Sequence, residues 1–140
     1  VIPPRWIDSG SIIVDSYQAC MENFNFNTNN TIFEERCSHA GSGSGIGRVL
    51  ITDRQPGGSL DPDISNTGTL DILGKWRSSS AAILSLNVGL QASNRFHIVA
   101  SNAVYKTVAY GDKSGLGIFN VDYQAYKRGS GNNEILLRFD

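Results

Sequence analysis

With 140 residues and a formal net charge of -1, from 12 basic and 13 acidic side chains, the chain is sized for one domain and has no charge excess with which to grip nucleic acid. A chain of this length can bury roughly two-thirds of its surface, so one core needs no staples. No apolar run approaches the roughly 20 residues a bilayer-crossing helix needs, and residues 1–10 lack the charged start and apolar middle of a signal peptide, so a soluble protein is expected.

The sequence opens on Val1-Ile2-Pro3-Pro4 without Met, which fits processing, trimming or excision from a longer chain. Strands are expected over 11–18, 22–26, 32–37 and 48–52. In Asn23-Phe24-Asn25-Phe26-Asn27 the rings share one face and the amides the other, the mark of a half-wet strand. Cys20 and Cys37 are the only cysteines, too few for a disulfide framework. If Asn29 and Asn30 centre a hairpin turn, Glu22 faces Cys37 and Cys20 faces His39, so the sulfurs are offset by two residues and reduced thiols are expected. Two stretches read as long loops: 39–47, nearly all Gly and Ser, and 55–68, with Pro56, Gly57, Gly58 and Asp61-Pro62-Asp63.

One helix is expected over 69–77, where Leu70, Leu73 and Trp76 line one side, Asp71 lies in the first turn and Lys75 and Arg77 in the last. It would plug one end of a barrel. Beyond it, period-two alternation places strands at 82–88, 96–100, 104–110, 119–126 and 135–139. The last two are joined by Gly129-Ser130-Gly131-Asn132-Asn133 and are expected to form a terminal hairpin. The fold class is therefore all-β: an antiparallel β-sandwich or barrel with one short flanking α-helix.

Chemical motifs are sparse. The run Gly41-Ser42-Gly43-Ser44-Gly45-Ile46-Gly47 lacks the Gly-Lys-Ser/Thr ending of a phosphate cradle and leads into a strand, so it reads as a loop. His39 and His97 stand alone, without metal-ligand spacing. Asp61 and Asp63, with Asp53 nearby, have no EF-hand order and read as a solvated acidic loop. No nucleophile elbow sits between a strand and a helix. Catalytic residues, cofactor and metal are accordingly expected to be absent. Trp6, Trp76, Tyr17, Tyr105, Tyr123 and Tyr126 keep a sugar-stacking or receptor-binding module in view as the alternative to core and interface packing.

From Gly45 onward two segments stand out: the run from Gly47-Arg48-Val49-Leu50-Ile51-Thr52-Asp53 to Gly58-Ser59-Leu60-Asp61-Pro62-Asp63, and Leu73-Gly74-Lys75-Trp76-Arg77. They carry a resemblance to the tail tube proteins of long-tailed bacteriophages. It continues through Leu84-Ser85-Leu86-Asn87-Val88-Gly89, Val108-Ala109-Tyr110-Gly111-Asp112-Lys113-Ser114-Gly115-Leu116 and Asn133-Glu134-Ile135-Leu136-Leu137-Arg138-Phe139. The first forty residues match less plainly, and some members are about twice as long with two similar halves, so the chain is compatible with the C-terminal half of such a protein.

The resemblance implies a virion protein that assembles with itself into rings, usually sixfold or pseudo-sixfold, that stack into a tube with other tail proteins in the host cytoplasm. DNA passes through the lumen without specific binding. On that reading the thiols stay reduced, and Glu22, Glu34, Glu35 and Asp122 are the candidate lumen-facing residues, being on polar faces of expected strands. The loops 38–47 and 55–68, represented by His39, Gly43, Gly47, Pro56, Asp61 and Asp63, are the candidate ring-stacking segments. Another tail ring component or a secretion-system tube protein, a relative within the same fold, is the second reading and would form discrete rings without long tubes.

Overall fold

The computed structural model describes residues 11–36, 45–64, 69–89, 94–129 and 133–139. Among these the strands are β1 (Ser11–Val14), β2 (Tyr17–Gln18), β3 (Phe24–Asn27), β4 (Asn30–Arg36), β5 (Ile46–Arg54) and β6 (Gly57–Leu60). A helix, α1 (Ile72–Ser78), precedes β7 (Ala82–Val88), β8 (Phe96–Lys113), β9 (Leu116–Ala125) and β10 (Leu136–Phe139). The pairings are antiparallel, as the alternation requires. The main sheet runs β2-β1-β7-β8-β9-β6-β3, with β10 also on β8, while β4 and β5 form a separate two-stranded sheet. The path is open, ending on β2 and β3, so the all-β antiparallel class holds without closure into a barrel.

Left-handed residues set the tight turns. Asp15 and Ser16 have φ of 50° and 72°, and Ser114 and Gly115 have 53° and 87°, the double positive φ of two-residue hairpin turns. The first turn divides the expected 11–18 strand into β1 and β2. It is also pinned from outside: the Asp15 backbone N–H donates to the Ile83 carbonyl at 2.9 Å, and the Ile83 N–H donates to Asp15 Oδ1 at 2.9 Å. Lys75 of α1 pairs with Asp15 Oδ2 at 2.6 Å.

The main sheet makes its core by curling, with β8 as the strand common to both halves. Extended, its 18 residues would span about 60 Å. Its register shifts against β9 between Tyr105 and Thr107, and against β7 between Ala82 and Leu84, irregularities that bend a sheet. Val14 and Leu84 from one half thereby join Leu60, Phe119, Val121 and Tyr123 from the other in a single buried cluster, with Leu70 and Ile72 packed in from the helical segment. At roughly 1.5–3 kcal/mol for each fully buried large side chain, this cluster is the main source of stability.

The helix begins three residues later than the expected 69, at Ile72, and ends one residue later, at Ser78. Asp71 is the N-cap, accepting the Gly74 N–H at 2.8 Å, rather than a residue of the first turn. Lys75 and Arg77 do lie in the last turn, and Ser79, left-handed at φ 51°, ends it. Trp76 Nε1–H donates to the Lys106 carbonyl at 3.0 Å, where β8 runs past the end of β7.

Four expectations about connection are corrected. The 96–100 and 104–110 segments are one strand, β8. The terminal hairpin does not form: β9 pairs with β8 from Ala103 to Lys113, and β10 pairs with β8 from Phe96 to Val99, so both occupy the same edge in succession. The strand at 22–26 does not pair with the one at 32–37: β3 joins β6 and β4 joins β5, so the hairpin that would face Glu22 with Cys37 and Cys20 with His39 does not form, and Cys37 and His39 lie outside the described residues. Finally, 55–68 is not one loop. It contains β6 and a bridge from Asp63 to Ile118, with Pro56, Asp61 and Pro62 buried.

Glycine explains that last departure. An added Cβ on Gly58 would overlap the Asn25 carbonyl oxygen of β3, and one on Gly57 would come within 2.6 Å of the Tyr123 carbonyl oxygen of β9. The Pro-Gly-Gly sequence reads as a turn but serves here as a side-chain-free strip squeezed between two strands.

Candidate assembly interface

The ribbon β4–β5 projects from the domain without joining the main sheet. Its register puts Ile32 opposite Ile51 and Glu34 opposite Val49 on one face, and Phe33 opposite Leu50 and Glu35 opposite Arg48 on the other. Ile32, Val49 and Ile51 are 64 %, 59 % and 57 % exposed, and on the reverse face Phe33 is 53 % exposed. Two strands without a packed face are marginal in water, and contiguous exposed apolar surface marks an interaction site. A nine-residue strand is about 30 Å long and a two-strand ribbon about 10 Å wide. Covering both faces would bury on the order of 1,200 Å² once the partner's side is included, the lower end of a stable protein interface.

Two further apolar clusters lie at opposite ends of β8. At its start, Leu136, Leu137 and Phe139 of β10 are exposed, and the Phe139 ring lies tilted against Phe96 with centroids 5.0 Å apart. At its far end, Tyr110 is exposed with its ring 5.3 Å from Phe119. Leu116 and Ile64 are exposed at the same tip, where the Ile64 N–H donates to the Gly117 carbonyl.

The outward face of the sheet has a different character. Asn25, Ser59, Asp122 and Thr107 stand side by side across β3, β6, β9 and β8, with Asn120 next to Ala109. They line a trough of about 410 Å³ whose other lining residues include Asn23 and Asp61 and no Lys or Arg.

The four carboxylates proposed for one surface are not brought together. Asp122 lies in the polar trough. Glu34 and Glu35 are on the ribbon, where Glu35 pairs with Arg48, and Glu22 pairs with Lys113 at 2.8 Å. Of the stacking candidates, His39 and Gly43 lie outside the described residues, and Gly47 is an exposed residue of β5. Pro56 and Asp61 are buried and Asp63 is half-buried, and each is tied to the rest of the domain, Pro56 through its carbonyl, which accepts the Ala125 N–H at 2.8 Å. Asp61 Oδ1 accepts from the Glu22 N–H at 3.1 Å and the Asn23 N–H at 2.7 Å. Asp63 Oδ1 accepts the Cys20 N–H at 3.2 Å, while the Asp63 N–H donates to the Cys20 carbonyl. The solvated-acid-loop reading is corrected accordingly.

Among the described residues no group of three or more His, Cys, Asp or Glu is placed to hold a metal ion. No helix there is long and apolar enough to cross a membrane. His97 is half-buried, its Nδ1 2.6 Å from Asn87 Oδ1 across the β7–β8 pair. Tyr105 and Tyr123 are core residues whose phenols burial pushes well above the usual range, with the Asp15 charge adding to the rise at Tyr105. The Tyr123 hydroxyl donates to the Asn25 carbonyl at 3.0 Å, reaching over the strip that Gly58 leaves open. The exposed rings Trp76, Tyr110 and Tyr126 stand on separate elements and do not form one stacking platform.

The exposed apolar residues that sequence reasoning passed over are Ile32, Phe33, Val49, Leu50 and Ile51. Their signal was present: Ile32-Phe33 and Val49-Leu50-Ile51 place apolar groups on consecutive positions, hence on both faces of a strand. No family model matches the chain, and no curated protein matches it by sequence.

Proposed function

We propose that this chain is a structural subunit that assembles with copies of itself into stacked rings, in the manner of the tail tube of a long-tailed bacteriophage. The projecting ribbon carries the proposal: a two-stranded arm with aliphatic and aromatic side chains exposed on both faces gains stability when another chain covers it. The arm and the apolar ends of β8 are different surfaces of one molecule, which favours heterologous contacts that close into rings or propagate as filaments.

The polar trough supports the channel part of the reading. A surface of amides, hydroxyls and the Asp122 carboxylate, without Lys or Arg, offers the phosphate backbone no counter-charge, so DNA slides past it without being held. Asp122 is the lumen-facing residue retained from the sequence; Glu22, Glu34 and Glu35 belong to other surfaces. The site of action on this reading is the virion tail, with assembly in the host cytoplasm and other tail proteins as partners. The carbohydrate-binding alternative draws no support from the scattered exposed rings.

Negative-stain electron microscopy over a concentration series, with light scattering on the same samples, tests this directly. Rings or tubes with an open centre are the expected result. A chain that stays monomeric across the series, and instead binds glycans on an array, would replace this reading with the binding-module one.

A further inference from the structure

We infer that the β4–β5 arm also folds back on its own domain, laying the open edge of β5 along the open edge of β10, so that a chain on its own holds the arm as one more ribbon of the main sheet. The inference concerns the single chain and stands whether or not copies assemble.

The topology sets the two edges in line. β9 and β10 lie in succession on one edge of β8, both antiparallel to it, and β6 covers the far side of β9. Among the described residues β10 pairs with β8 alone, and β5 with β4 alone. The chain reaches β6 directly from β5, so β5 stands to β10 as β6 stands to β9 and would run antiparallel to it, the direction a ladder needs. The partner strands agree. Asn27–Gly57 is the last pair of β3–β6 and Asn30–Arg54 the first of β4–β5, with two residues in each strand between them. Both pairings therefore belong to one long ribbon, interrupted at 28–29 and 55–56.

The arm half of that ribbon is held away by little. A cleft of about 450 Å³ separates the root of β5 from residues 124–127, and one of about 150 Å³ opens between Pro56 and Leu137, with Arg54 and Glu134 lining both. At the interruption Asn29 is left-handed, at φ 45°. Its N–H donates to Asn27 Oδ1 and its side-chain amide to the Gln55 carbonyl, each at 3.0 Å and exposed to water. Because the Gln55 carbonyl faces Asn29, the neighbouring Arg54 N–H lies on the opposite edge of the strand, where Asp53 Oδ1 caps it at 2.9 Å in place of a partner strand. Exposed apolar side chains stand on both strands: Val49, Leu50 and Ile51 on β5, and Leu136, Leu137 and Phe139 on β10. Closure pairs two open edges and takes both apolar sets out of water in one movement.

Disulfide trapping tests this. In full chains with Cys20 and Cys37 replaced by serine, L137C is combined in turn with L50C, I51C and T52C, so that any register of the closed arm brings one pair within bonding reach. Dilute protein is oxidised mildly, and intact mass separates a bond within a chain from a bond between chains. Far-UV circular dichroism of the reduced forms checks that each folds, and hydrogen exchange of the parent chain reads closure without any substitution. The expected result is a bond within one chain for at least one pair, and slow exchange at every amide of 51–54 and 136–139. Folded variants that form no bond within a chain overturn the inference, and bonds found only between chains assign the arm to another copy instead. Should the variants not fold, the parent decides: open edges leave alternate amides of 51–54 and 136–139 exchanging fast, and that pattern overturns the inference equally.

Discussion

Replacing Asp61 by alanine should cost this protein about 3 kcal/mol of stability, with no specific effect on assembly. The side chain is buried, and its Oδ1 is the acceptor for two consecutive backbone N–H groups, those of Glu22 and Asn23, at 3.1 and 2.7 Å. The backbone adds a third tie, from the Asp61 N–H to the Asn23 carbonyl at 3.3 Å. Hydrogen bonds to charged groups contribute about 1.5–3 kcal/mol each, and both donors are only part-buried, so water recovers some of the loss and the lower end applies. Two bonds at about 1.5 kcal/mol give the total. Asp61→Asn keeps an oxygen in place and should cost about 1 kcal/mol. Urea denaturation followed by tryptophan fluorescence measures both, repeated at tenfold higher protein concentration because assembly adds apparent stability. If D61A unfolds within 0.5 kcal/mol of the parent while shortening the assemblies, Asp61 belongs to a contact surface and its role as an internal tie is wrong.

Three further outcomes are expected. Gly58→Ala should destabilise by several kcal/mol and detach β3, since the new methyl group meets the Asn25 backbone; hydrogen exchange should show lost protection at residues 24–27, and unchanged protection there would contradict the close packing. Tyr105→Phe should be neutral or stabilising by up to about 1 kcal/mol, because the buried Tyr105 hydroxyl has no hydrogen-bond partner among the described residues; a clear loss of stability in the same urea assay would mean that the hydroxyl is satisfied. Stability should fall on the alkaline side. Tyr105 and Tyr123 have raised folded-state pKa values, so the unfolded chain releases their protons first, from about pH 10, and their contribution, intact below that, declines as pH climbs. Melts between pH 8 and 11 check this, and the Y105F variant should flatten the slope.

The strands were legible where one face is buried, because alternation then has a single reading. Phe119, Val121, Tyr123 and Ala125 all point into the core, and β9 follows them. What alternation does not encode is partnership. The chemistry of 129–133 permits a hairpin, yet β10 goes to Phe96–Val99 because β9 already occupies the rest of that edge of β8. The glycines of 57–58 suggested a turn, since nothing local distinguishes a glycine needed for positive φ from one needed for close approach. At the candidate interface the situation reverses. Of the residues singled out by composition, the four carboxylates are dispersed and Pro56, Asp61 and Asp63 are held within the domain, whereas consecutive apolar residues at 32–33 and 49–51, which no monomer core accounts for, mark the arm.

The shared edge of β8 also sets an order in time. The arm, at 30–54, leaves the ribosome more than eighty residues ahead of β10, so its sticky faces are in solution while the Phe96–Val99 edge still waits for its last strand. Pairings this distant in sequence form slowly, and a half-made sheet with an open edge is the state most prone to mispairing. Each newborn chain thus passes through an interval in which the exposed apolar arm and the open edge coexist before the sheet is complete. Fewer chains in synthesis at once, or a lower temperature, should therefore raise the yield of correctly built protein more than any added stability would.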